Sequence, residues 1–185
     1  MSDQLKRVDV RLKLVDKEVY ERETITCPED AIKVVADIMV DLDRECACVV
    51  NLDGAGHPIN FNIISVGDVN RSLVPIQNVF KTAILSNAAS VMLLHNHPSS
   101  STKPSNEDYQ MTKKIMCAGA LMNIPLIDHV IIGGGTGNYI SMRGQNGRLF
   151  DIENYTNLYQ YVADGGAKVM EDVVKENELI YGLEN

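Results

Sequence analysis

The chain has 185 residues, enough for one domain of ordinary size and an appendage. Hydrophobic residues make up 45% and charged residues 23%, the balance of a globular protein rather than a disordered or fibrous one. A formal net charge of −8 argues against a general grip on nucleic acid, and the apolar runs are far shorter than a membrane span.

Met1 to Val8 is polar and has no signal-peptide stretch, so a cytoplasmic location is the expectation. The basic residues Lys6, Arg7, Arg11, Lys13, Lys17 and Arg22 sit early in the chain, where they read as a solvated strand face rather than a basic arm. Cys27, Cys46, Cys48 and Cys117 include no second close pair to complete a cysteine zinc site, so they read as plain thiols.

Val8, Val10, Leu12 and Leu14 alternate with polar residues, the pattern of a half-buried strand. Thr26-Cys27-Pro28-Glu29 has the cap, early proline and acid of a helix start, and Ala31, Val34, Val35, Ile38, Met39 and Leu42 continue at helical spacing over 29–43. Cys46 to Leu52 is a near-continuous apolar strand closed by the turn Asp53-Gly54-Ala55-Gly56. Pro58 to Val66 returns as its hairpin partner, with Ile59, Phe61 and Ile63 on one face and Asn60, Asn62 and Ile64 on the other.

A second amphipathic helix runs through Ile76, Val79, Phe80, Ala83 and Ile84 and ends near Asn87. Ser90 to Leu94 is a wholly apolar strand that delivers His95 at its end. After a polar loop, Ser105 caps a third helix over 106–123, with Met111, Ile115, Met116, Ala118 and Met122 as its inner face. Pro125 to Ile132 and Tyr139 to Met142 read as strands around the glycine turn Gly133 to Gly137. The boundary falls at Phe150: 1–150 form the domain, and 151–185 an acidic, mainly helical extension without chemistry of its own.

His95-Asn96-His97-Pro98-Ser99 is the chemical centre of this pattern. In extended backbone, histidines two apart point the same way. Asp108, at the start of the third helix, can turn a carboxylate toward them. Two imidazoles and one carboxylate are the three protein ligands of a catalytic zinc site with its fourth position left for water. A plainer reading stands beside it: two polar loop residues, and Ser105-x-x-Asp108 as a helix cap that satisfies backbone donors without metal. His57 lies in a turn, and His129, beside Asp128 in an apolar strand, reads as a satisfied structural histidine.

His95-Asn96-His97-Pro98-Ser99 followed by Pro104-Ser105 and Asp108 resembles the His-x-His-x(10)-Asp motif of the JAMM (MPN/JAB) metal-dependent hydrolases, in the form of the RadC-like branch. The resemblance runs from about Val50 to Leu149 and includes Asn87-Ala88-Ala89-Ser90 and Ile124-Pro125-Leu126-Ile127-Asp128-His129. It implies an α/β fold with a curved mixed sheet flanked by helices, and Zn2+ held by His95, His97 and Asp108. Ser105 would hold water or stabilise the developing oxyanion, and the reaction class would be amide or isopeptide hydrolysis of a peptide or protein.

Two departures stand out. Aligning the hairpin turn puts the general-base glutamate of these enzymes at Asn62, and an amide cannot act as a base. Ser100 replaces the glycine usual after His-Pro-Ser. An acid missing at position 62 makes a catalytically silent, zinc-stabilised protein-binding module, near DNA-repair or mobile-element machinery, the alternative expectation.

Overall fold

The structure, a computed structural model, describes residues 12–13, 24–67, 74–151 and 155. The expected strand over Val8 to Leu14 and nearly all of the acidic extension lie outside the described residues.

Helix α1 spans Pro28–Met39. Its start is closed by Asp30 rather than Glu29: one Asp30 carboxylate oxygen accepts from Thr26 N, Thr26 Oγ1 and Cys27 N. Glu29 instead accepts from the Tyr139 hydroxyl. The helix ends short of the expected 43, and Leu42 packs against the core from the loop.

Strand β1 (Cys46–Leu52) and strand β2 (Pro58–Val66) form the expected hairpin. Register shifts in this ladder leave Ile59 and Ile64 as extra residues on β2, so the simple alternation breaks. Ile59 joins the same apolar cluster as Ile64, and Ile63 is exposed. Helix α2 (Ile76–Leu85) follows, and strand β3 (Ser90–His97) runs three residues past Leu94, so both histidines are in the strand.

Helix α3 (Asn106–Met122) connects β3 to strand β4 (Leu126–Gly133), which is parallel to it. Parallel neighbours need a crossover of this kind. Strand β5 (Tyr139–Ser141) is shorter than expected, because Met142 already belongs to the short helix α4 (Met142–Gln145). A single 3-10 turn over Gly147–Phe150 closes the described fold.

The sheet order is β2-β1-β3-β4-β5, five strands of mixed direction. Helices cover both faces. On one, Ala31, Val34, Val35 and Met39 of α1 meet Cys46, Cys48, Val50, Leu94 and Val130. On the other, Val79 and Phe80 of α2 and Ile115 and Met116 of α3 meet Val49, Leu93 and Ile131. Each fully buried Val, Leu, Ile, Phe or Met among these contributes about 1.5–3 kcal/mol of apolar burial. Tyr155, beyond the expected boundary, is buried on the second face and donates to Leu149 O.

The buried face of α3 is Asp108, Thr112, Ile115, Met116, Gly119 and Ala120; of the expected inner face Ile115 and Met116 are buried, Met111 and Ala118 are half-buried against the core, and Met122 is exposed. Gly119 sets that rotation: a Cβ there would sit 2.6 Å from the Ile124 carbonyl oxygen. Among the described residues, no helix is long and apolar enough to cross a membrane.

Candidate metal centre

The crossover geometry brings the carboxyl end of β3 next to the amino end of α3. His95 and His97 therefore arrive on the sheet face that α3 covers, and Asp108 arrives in the first helical turn. The plainer reading of Ser105-Asp108 is correct as far as it goes. Ser105 Oγ accepts from Asp108 N at 3.1 Å, and Asp108 Oδ2 accepts from Ser105 N at 2.7 Å. Cap and ligand are compatible, because Oδ1 faces away from the cap and lies 3.2 Å from His95 Nε2.

His97 Nε2 completes the group, 2.9 Å from His95 Nε2 and 3.5 Å from Asp108 Oδ2. His95, His97 and Asp108 each offer one ligand atom, and these atoms lie within 4.8 Å of one another. Among the described residues no other group of histidines, cysteines and carboxylates meets this condition. Cys27, Cys46, Cys48 and Cys117 are all free, and burial pushes the Cys48 thiol up to about 12.

Hydrogen-bond partners assign the tautomers. Ser101 O can only accept, so His97 donates to it from Nδ1 at 2.8 Å, leaving a lone pair on Nε2. Thr112 Oγ1 donates to Asp108 O at 2.7 Å, so it accepts from His129 Nδ1 at the same distance. His129 Nε2 then accepts from His95 Nδ1 at 2.7 Å, and His95 Nε2 also keeps its lone pair. Burial holds His129 well below the ordinary histidine value, consistent with a neutral ring passing this bond along.

Two facing lone pairs and a carboxylate repel one another unless a cation lies among them. The donor set thus fits a divalent metal ion. Without one, a proton takes the place. The Asp108 hydrogen bond raises His97 above its ordinary value, against burial, and the Glu45 charge adds to the rise. Burial alone would raise Asp108, but its bonds from His95, His97 and Ser105 hold the carboxyl far below the usual range.

Glu45 is an acid near the ligands that the sequence reading did not weigh. Asn62 pairs with Val49, which pairs with Leu93, so Asn62 is level with a core residue rather than with the ligands. The strand next to β3 is β1, not β2. There Ala47 lies opposite His95 at the last pair of the ladder, and Glu45, two residues earlier in the chain, lies near enough for its charge to raise His97. Glu45 is half-buried, and its carbonyl accepts from Gly67 N at 2.8 Å. An acid one step before an apolar strand was the available signal.

Ser105 gives its hydroxyl proton to Asp108 Oδ2 at 2.6 Å, so in this geometry it orients a ligand. His129 is buried and satisfied at both ring nitrogens, as expected, yet it is also the partner that orients His95. Ser100 takes the left-handed conformation that its glycine counterpart would adopt, with φ of 63°.

Comparison with known proteins shows the family. Residues 25–147 match the RadC-like JAB domain. A UPF0758 protein of Salinibacter ruber is 41% identical over 124 residues, covering 67% of this chain and 53% of that protein. One from Shouchella clausii is 40% identical over 122 residues, covering 66% and 52%, and one from Chloroflexus aggregans is 35% identical over 136 residues, covering 74% and 58%. The chain thus spans about half the length of the curated relatives it matches. With the histidine pair, the aspartate and the mixed sheet all in place, this chain belongs to the RadC-like JAB domain family.

Proposed function

We propose that this domain is a zinc-dependent hydrolase of amide or isopeptide bonds, acting on a peptide or protein substrate. The observation that carries this reading is the convergence of His95 Nε2, His97 Nε2 and the Asp108 carboxylate, with the Glu45 charge acting on His97. Two imidazoles and one carboxylate suit zinc and leave a position open. Bound there, zinc supplies a Lewis acid and lowers the pKa of water toward neutrality.

The chain's own residues do the rest. Glu45 accepts the proton of the attacking water and returns it to the departing amine nitrogen. Ser105 holds Asp108, and His129 holds His95, so the ligand cage keeps its shape through turnover. The silent-module alternative rested on an absent base; Glu45 supports the hydrolase instead.

Elemental analysis of the purified protein should find one zinc per chain, lost in His97→Ala. Release of new amino groups from a library of peptides and ε-lysyl isopeptides reads the activity. Glu45→Gln should keep zinc and slow cleavage by about 10²–10⁴-fold. Absence of zinc, or wild-type cleavage by Glu45→Gln, would overturn the reading.

A further inference from the structure

Asn96 stands between the two histidines, and strand alternation turns its side chain to the opposite face of the sheet. It is fully buried there. Its Oδ1 accepts from Cys46 N at 2.7 Å and its Nδ2 donates to Arg44 O at 3.1 Å. Those two groups belong to the peptide units on either side of Glu45.

We propose that Asn96 is a positioning residue that clamps the backbone of Glu45 against the metal centre. The proposal rests on the reading of Glu45 as the proton acceptor. The β1–β3 ladder ends at the pair Ala47–His95, and the next N–H, that of Cys46, is met by the Asn96 side chain. On the other side, Glu45 O accepts from Gly67 N, just past the end of β2. A side-chain amide carries one acceptor and one donor on a single carbon, which is what bridging these two groups requires. Aspartate lacks the donor, alanine lacks both, and serine reaches one group at most. The residue between the ligands thus couples ligand placement on one face to base placement through the other.

The test uses the full chain. Amide hydrogen exchange in Asn96→Ala should speed up at Cys46 by about tenfold, while Val49 and Leu93 stay protected. Zinc affinity, read by chelator competition, supplies the second arm. Removing the Glu45 charge with Glu45→Gln should weaken zinc about threefold to tenfold in the wild-type background. In the Asn96→Ala background that ratio should fall toward one. Asn96→Ser, which keeps one of the two bonds, gives an intermediate result and serves if the alanine variant does not fold. Unchanged exchange at Cys46, or an equal Glu45→Gln ratio in both backgrounds, would overturn the clamp. Both readouts work without a substrate, so failure to find hydrolysis counts against the proposed activity and leaves the clamp to be decided by them.

Discussion

His95 Nδ1 lies 2.7 Å from Nε2 of His129, a residue of the neighbouring parallel strand. His129 in turn bonds Thr112 Oγ1, which bonds the main-chain carbonyl of Asp108. A closed path thus runs from one ligand to the backbone of another through buried groups, and it fixes which nitrogen of His95 is free to bind metal. His129→Leu fills similar space but removes the acceptor. It should weaken zinc by about 10–100-fold, and ¹⁵N shifts of the His95 ring should show loss of the single Nδ1–H tautomer. His129→Gln, which retains an acceptor, should lose less. Wild-type zinc affinity in the leucine variant would show that the path does not orient the ligand.

A proton and a metal ion compete for the same space, which gives the centre a definite pH dependence. His97 has a folded value raised above its ordinary one. In the metal-free protein the proton's stabilising contribution is therefore complete below about pH 6.5 and is lost as pH rises through the higher folded value. Asp108 is depressed, so its contribution is present above the ordinary carboxylate range and is lost only in strong acid. Metal-free protein should thus have a Tm that falls from mildly acid to mildly alkaline pH. Zinc affinity should rise over the same interval, by about tenfold per pH unit where one proton is displaced. Thermal scans after chelation, and competition titrations at several pH values, check the two slopes. An affinity independent of pH would mean the proton is not held at the ligands.

The ligands were legible because their positions depend on local rules alone. Histidines two apart in a strand share a face, and Ser105-x-x-Asp108 announces a helix start whatever else the aspartate does. Glu45 was not legible from the hairpin, because the hairpin says that β1 and β2 pair but not which of them borders β3. Seating the base on β2 led to Asn62; the sheet order puts β1 beside the ligand strand, and the proposed base Glu45 lies just before it. Thr112 was passed over for a different reason. It sits four residues after Asp108 on the same helical face, but hydrophobic spacing alone favours a face that also runs through Met111 and Met122. The Ile124 carbonyl against Gly119 decides between them, and that contact depends on how the chain turns back at the left-handed Asn123 that ends α3.

Ser100 offers a last measurement, on the loop that follows the ligand strand. Its φ of 63° is a conformation that glycine adopts without strain and other residues adopt at roughly 1 kcal/mol or more. Its hydroxyl offsets part of that by donating to Gly134 O at 2.7 Å, tying the loop to the end of β4. A hydrogen bond of this kind contributes about 1 kcal/mol. Ser100→Ala keeps the strain and loses the bond, so it should destabilise by about 1 kcal/mol. Ser100→Gly loses the bond and the strain together and should stay within about 1 kcal/mol of wild type. Denaturant unfolding of the three proteins gives the order directly. An alanine variant as stable as the glycine one would mean that the left-handed backbone at Ser100 carries no strain.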